Sequence, residues 1–308
     1  MSYKLGSIPS ESASTCEIAD FLEVECLKSD TSSVSIVEAA NKLGILTDDN
    51  EDDIEDSDII SSLQRSLDEI DNRLYDTHSK YPFRTDVNTI YIEGKSSPYL
   101  KDIYTFLLLV TRENMNDGRL INNIDGTKLF ENLCCCVIKN YFGNNASSFV
   151  FGTGANKSVS FYDRISDFLN KVQVRGYQVH KPQGDIGHHQ DGGVDIIAFI
   201  PFHDNNQGQF FALGQCKTGQ SWQNSIVPPY AFVDNYISPS TVFKPVIFYM
   251  VSESFSDSWT ETARQCCGLL FDRERIMEYI PEENLLPLNL LDKIREWNRG
   301  VLGRYTNN

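Results

Sequence analysis

No apolar run in this sequence is long enough to cross a bilayer. The strongest, Tyr104 to Val110, covers seven residues, against the roughly 20 that a membrane helix needs. Met1 to Ser14 contains no apolar core of the length a signal peptide uses, so the expected location is the cytoplasm. The eight cysteines never adopt a Cys-x-x-Cys spacing; Cys134-Cys135-Cys136 and Cys266-Cys267 are contiguous instead. Neighbouring residues on a helix point in different directions, so these thiols are expected to be small buried groups in a reducing compartment. Zinc ligation and disulfides are not expected of them. Histidine is scarce, five in all, and the one adjacent pair, His188-His189, is poorly placed to converge on one ion. Solvated loop residues or phosphate contacts are expected there.

Basic charge is also in deficit, with 27 Lys and Arg against 43 Asp and Glu, a net charge of −16. The deficit is uneven. Residues 1–115 hold 23 acidic and 10 basic side chains, whereas 116–308 hold 20 and 17. A near-neutral second part can still carry a basic groove, because phosphate contacts depend on local clustering rather than total charge. Lys157, Arg164, Lys171, Arg175, Lys181 and Lys217 are its candidate cations, though any one of them could be an ordinary solvated charge. A length of 308 residues leaves room for two domains, and 41% hydrophobic with 23% charged residues is the composition of an ordinary soluble protein.

The first part reads as mostly helical. Cys16 to Leu27 and Val34 to Leu43 have short amphipathic patterns, followed by an acidic linker, Asp48 to Asp58. Ile59, Ile60, Leu63, Leu67, Ile70 and Leu74 then recur at helical spacing behind Ser57, a suitable N-cap. Thr89 to Ile92 suggests a short strand, and Ser97 to Arg112 a helix with Tyr99, Ile103, Phe106, Leu107 and Val110 on its apolar face. No catalytic constellation is visible in this part, which points to a regulatory or partner-binding domain over 1–115. Asn116 to Asp125, rich in Asn, Asp and Gly, marks the expected boundary.

The second part alternates helices and strands. Helices are expected over Thr127 to Phe142 and Phe161 to Lys171, a buried strand over Lys244 to Val251, a helix over Trp259 to Leu270 continuing through Arg273 to Arg275, and a last helix over Leu288 to Trp297. Between them lies the chemistry-bearing stretch. Asp191-Gly192-Gly193-Val194-Asp195 leads into the apolar run Ile196 to Ile200, and a polar turn returns the chain through Phe210 to Lys217, the pattern of a β-hairpin. Side chains alternate along a strand, so Gln215 and Lys217 share one face and Cys216 takes the other. The carboxylate of Asp195 and the amide oxygen of Gln215 are hard donors suited to Mg²⁺ or Mn²⁺, and Lys217 could orient a water and offset phosphorane charge. Taken singly, an Asp-Gly-Gly turn or an edge lysine would be unremarkable structure.

Gly192-Gly193-Val194-Asp195 followed by Gln215-Cys216-Lys217 resembles the PD-(D/E)xK nuclease superfamily, in its Mrr-like restriction endonuclease branch. That family also places a glutamate on a preceding helix, and Glu131 in Phe130-Glu131-Asn132-Leu133 matches it, although Glu131 falls away from the apolar stripe of its helix. The resemblance implies an α/β fold, a restriction-endonuclease-like mixed sheet flanked by helices over 116–308, and Mg²⁺-dependent hydrolysis of DNA in restriction or anti-phage defence. It further implies catalytic roles for Asp195, Gln215, Lys217 and Glu131, with Asp195, Gln215 and Glu131 forming the metal site and Asp191 a candidate to assist Asp195 or bind a second ion. Gln215 in place of an acid removes one negative charge and should weaken metal affinity. A protein partner through the N-terminal part and a homo-oligomer are compatible with this reading. So are two alternatives, an inactive nucleic-acid-binding subunit of a larger complex and a protein-interaction module without nuclease activity.

Overall fold

The computed structural model describes residues 3–305 except 11, 44–57, 95, 152–158, 173–175, 184–191, 203, 205, 207–208, 220–221, 227–228, 230, 239–244, 256–260, 262–264 and 267. The chain is a mixed α/β protein. Its first helix, α1 (Thr15–Lys28), begins at a capping box in which the Ser14 hydroxyl accepts from the Glu17 N–H and the Glu17 carboxylate accepts from the Ser14 N–H. Ser35 and Glu38 repeat this device at α2 (Ile36–Lys42). Val34 belongs to a strand rather than to that helix: β1 (Ser33–Ser35) pairs with β3 (Thr89–Ile92), which also pairs with β2 (Phe83–Asp86). The long helix α3 (Asp58–Asp76) follows the predicted spacing and buries Leu63, Leu67 and Ile70. Helix α4 (Pro98–Arg112) starts with proline at its first turn, where a missing N–H costs nothing, and is completely enclosed from Ile103 to Leu109 apart from a trace at Thr105.

A two-residue ribbon, β4 (Leu120–Ile121) and β5 (Ile124–Asp125), occupies the expected boundary and leads into α5 (Gly126–Phe142), whose first turn is capped by Asp125. Next come β6 (Ser147–Val150), α6 (Phe161–Val172), β7 (Gln178–Val179), β8 (Ile196–Ile200) and β9 (Phe210–Lys217). After α7 (Ala231–Tyr236) and β10 (Ile237–Ser238), the chain forms β11 (Val246–Val251), β12 (Leu269–Phe271), α8 (Arg273–Glu278) and α9 (Leu290–Tyr305). Five strands make the main sheet in the order β12-β11-β9-β8-β6. The β6, β8 and β9 pairings are antiparallel, whereas β11 runs parallel to β9 and β12 parallel to β11. The expected helix over Trp259 to Leu270 is corrected at its end: Leu269 and Leu270 are in strand β12, and α8 starts separately behind its own N-cap, Asp272. A short apolar run has no period that separates the two conformations.

The sheet is covered on both faces, which is why β8, β9 and β11 are near-continuous apolar runs. Ile196, Ala198, Ala212, Phe248 and Met250 face a core shared with α1, α3, α4, α5, α8 and α9. Ile197, Phe199, Phe211, Leu213, Ile247, Tyr249 and Val251 face a second cluster built with α6 and α7. The first core is continuous from Tyr3 to Val301 and crosses the expected boundary at Asn116.

Within that core lies a buried ionic cluster. Asp20 of α1 accepts from Arg73 at 2.7 Å, Arg112 at 2.6 Å and both terminal nitrogens of Arg273 at 2.8 and 2.9 Å. Glu23 accepts from Arg73 at 2.6 Å, from the Tyr104 hydroxyl at 2.9 Å and from the Tyr81 hydroxyl. Burial alone would raise the Asp20 carboxyl, but Arg112, Arg273 and Arg73 together outweigh it and hold the group well below the ordinary carboxylate range. The cluster reaches the main sheet directly, because Arg273 Nε and the Thr111 hydroxyl both donate to the Ser252 carbonyl, at 3.0 and 2.6 Å.

Candidate functional site

The site lies at the end of the main sheet where β8 begins and the parallel strands β9 and β11 finish. Gly192 and Gly193 approach it with φ of +64° and +80°, a backbone region that favours glycine. A Cβ at Gly192 would also stand only 3.0 Å from the Phe232 ring and 3.2 Å from Phe161. This double constraint explains why the sequence carries two glycines before Asp195.

Asp195 is tied to both neighbouring strands. Its N–H donates to the Gly214 carbonyl at 2.8 Å, its carbonyl accepts from the Phe151 N–H at 2.7 Å, and its Oδ2 accepts from the Cys216 N–H at 2.8 Å. The carboxylate therefore substitutes for a strand carbonyl at the point where the chain turns out of the sheet. Gln215 is 4% exposed, and its Nε2 donates to the Gly193 carbonyl at 2.7 Å. A carbonyl can only accept, so this contact fixes which end of the amide is the NH₂. The amide oxygen Oε1 is left buried with no hydrogen-bond partner among the described residues. Lys217, two residues on, is half-buried and stands opposite Val251 in the β9–β11 register.

Glu131 reaches this end from the other side of the sheet, on α5. It is 7% exposed, so the apolar stripe of its helix understates its burial. The Cys216 thiol is pushed well up, by burial first, then by contact with Cys134, then by the carboxylates of Asp195 and Glu131. Both carboxylates thus act on the same thiol. The structure brings Asp195 and Gln215 to the same sheet end, with Lys217 on the Gln215 face, while Glu131 approaches Cys216 from the opposite face of the sheet. Asp191 and the pair His188-His189 lie outside the described residues.

Among the described residues no group of three or more His, Cys, Asp and Glu side chains is arranged to hold a metal. The candidate donors are of mixed kind, two carboxylates and an amide oxygen. A buried acceptor that lacks a hydrogen bond costs roughly 1–3 kcal/mol when left so. An amide oxygen in that condition has the chemistry a hard divalent cation takes.

Three of the candidate cations stand over rings flanking the second core. Arg164 lies 5.6 Å from the Phe151 centroid and 5.8 Å from Phe161, Lys171 4.3 Å from Phe149, and Lys181 4.7 Å from Tyr162. Lys157 and Arg175 fall outside the described residues. Trp222, which could have been a base-stacking ring, is 2% exposed and packs near Phe255. Its indole donates to Glu253 Oε2 at 2.7 Å. Glu253 has no place in the sequence motif; its bond to Trp222 of the second core puts it on the side of the sheet that Gln215 and Lys217 take by register.

The chain matches no family model, no curated protein and no solved structure.

Proposed function

We propose that this protein is a divalent-metal-dependent DNA endonuclease with a restriction-endonuclease-like fold. The observation that carries the reading is the side chain of Gln215, anchored through its nitrogen to Gly193, two residues before Asp195, with its oxygen buried and unbonded among the described residues. The five-stranded mixed sheet flanked by helices agrees with the architecture implied by the resemblance. Asp195, Gln215 and Glu131 are the groups that would hold Mg²⁺ or Mn²⁺. When bound, such an ion supplies charge stabilisation at a phosphate oxygen and acidifies a water.

The remaining work falls to the chain itself. Lys217, on the Gln215 face, orients the attacking water and offsets charge developing on the phosphoryl oxygens. The Cys216 N–H fixes the Asp195 carboxylate, so its direction does not depend on a flexible side chain. Arg164, Lys171 and Lys181 supply positive charge on the α6 side, where a phosphate backbone would gain from counterion release. A setting in restriction or anti-phage defence rests on the resemblance alone.

Incubation of the full chain with supercoiled plasmid tests the reading. Nicking or linearisation in Mg²⁺ or Mn²⁺, abolished by chelator, is the expected result, with host extract added in a parallel arm to supply an activator. Retarded but intact plasmid in both arms would favour a binding-only site, and neither retardation nor cutting would reject nucleic acid as the substrate.

A further inference from the structure

Beyond β11 the chain bends at Ser252 but stays bonded to its neighbours. The Ser252 N–H donates to the Lys217 carbonyl at 3.3 Å, and the Arg273 N–H donates to the Glu253 carbonyl at 3.2 Å. Tyr249 is the register partner of Gln215 and Val251 that of Lys217. Tyr249 and Val251 belong to the second core, and so does Trp222, whose indole bonds the Glu253 carboxylate, so Glu253 lies on the side of the sheet that Gln215 and Lys217 take by register. Glu253 directly follows the residue that bonds the Lys217 carbonyl.

The Glu253 side chain is held by one oxygen. Trp222, itself buried in the second core, donates to Oε2 at 2.7 Å, while Oε1 makes no hydrogen bond among the described residues. We propose that Glu253 is a further catalytic residue of this site, the carboxylic acid that protonates the leaving oxygen when a phosphodiester is cleaved. This inference rests on the nuclease reading and adds to it the acid that the motif residues do not provide.

Burial raises the Glu253 carboxyl above the usual range, and Asp20 of α1 adds to the shift. The Trp222 indole, Arg112 of α4 and Arg273 of α8 oppose it. Lys217 of β9 is the cation on its own face. A carboxylic acid that keeps its proton nearer neutrality is the kind a general acid requires. In the step, the oxygen of water bonds to phosphorus and the bond from phosphorus to the leaving sugar oxygen breaks, its electron pair going to that oxygen. The proton of Glu253 Oε1 moves to the same oxygen. The surplus proton of the attacking water passes to solvent, from which Glu253 is reprotonated.

The test compares two substrates, an ordinary DNA strand and one with sulfur in place of the leaving oxygen at a single bond, since a thiolate departs without a proton. Glu253→Gln keeps the acceptor for Trp222 but cannot donate as an acid. Its cleavage of the ordinary strand should fall about 10²-fold, while its cleavage of the sulfur strand should stay within about threefold of wild type, on the same reasoning. Equal losses on both strands, or no loss on either, would overturn the proposal while leaving the nuclease reading intact. Should Glu253→Gln not melt cooperatively, Glu253→Asp, which retains a proton, takes its place: a loss confined to the ordinary strand supports the proposal and equal losses reject it. A wild-type protein that cuts neither strand removes both the nuclease reading and this one.

Discussion

At the scale of single residues, Gln215 decides the character of the site. Its nitrogen is occupied by Gly193 and its oxygen lies buried without a hydrogen bond among the described residues, so a carboxylate in its place would keep the reach and add charge. Gln215→Glu should bind Mn²⁺ at least as tightly as wild type in calorimetric titration. Weaker binding at unchanged melting temperature would assign Gln215 to hydrogen bonding through its NH₂ instead. Neighbouring Gly214 is fixed by packing, since a Cβ there would stand 2.0 Å from the Phe248 ring. Much of this was legible in the sequence. Two short apolar runs joined by a polar turn specify a hairpin, and paired glycines before the first run mark the left-handed approach to it. Glu131 was legible as a motif element but not as a buried one, because the wall against its flank, Cys216 on β9, is supplied by residues more than eighty positions away. Glu253 was illegible as a site residue: its place depends on the β9–β11 register, which no local pattern records.

At the scale of elements, α1 and α8 are joined through charge. Asp20 and Arg273 are 253 positions apart and meet by two hydrogen bonds in a fully enclosed setting. Removing one member of such a cluster leaves the others uncompensated, which costs about 3–5 kcal/mol. Asp20→Ala should therefore lower stability by about that amount in denaturant titration; a change within about 0.5 kcal/mol, the range of ordinary surface substitutions, would show that the arginines find other partners.

Helix α8 also carries a pH dependence of its own. Burial, and after it the charge of Asp272, pushes the Glu274 carboxyl from 4.5 up to about 8, against the pull of Arg73 and Arg273. A raised carboxyl favours the folded state by holding its proton. That contribution is complete below about pH 4.5 and is lost as pH rises through about 8. Glu274→Gln cannot ionise, so its melting temperature should match wild type near pH 5 and exceed it at pH 9. The reverse ordering at pH 9 would mean that the ionised carboxylate is stabilising beside Arg73. The capped helices were readable from short sequence signals, whereas these contacts join segments that only the finished fold brings together.

At the scale of the whole molecule, the acidic first part and the strand-bearing second part share one apolar core. The candidate site lies at the sheet's end, and the arginine cluster in the first core is completed by Asp20 and Glu23 from the first part. A chain beginning at Asn116 would lack both carboxylates as well as Arg73, and would leave Arg273 enclosed without its counter-charge. Charge was therefore a sound guide to where the acidity lies along the chain but a poor guide to packing, because the pattern of net charge is blind to ion pairs made across the core.

The central claim is that Asp195 and Lys217 cut a phosphodiester bond at this sheet end. The most direct measurement is cleavage of supercoiled plasmid in Mg²⁺ by the full chain, by Asp195→Ala and by Lys217→Ala, each confirmed to melt like wild type. The account predicts cutting by the wild type and losses of about 10²-fold or more in both variants, since one removes an oxygen donor and the other the cation that faces the reacting phosphate. Wild-type rates in either variant would contradict it.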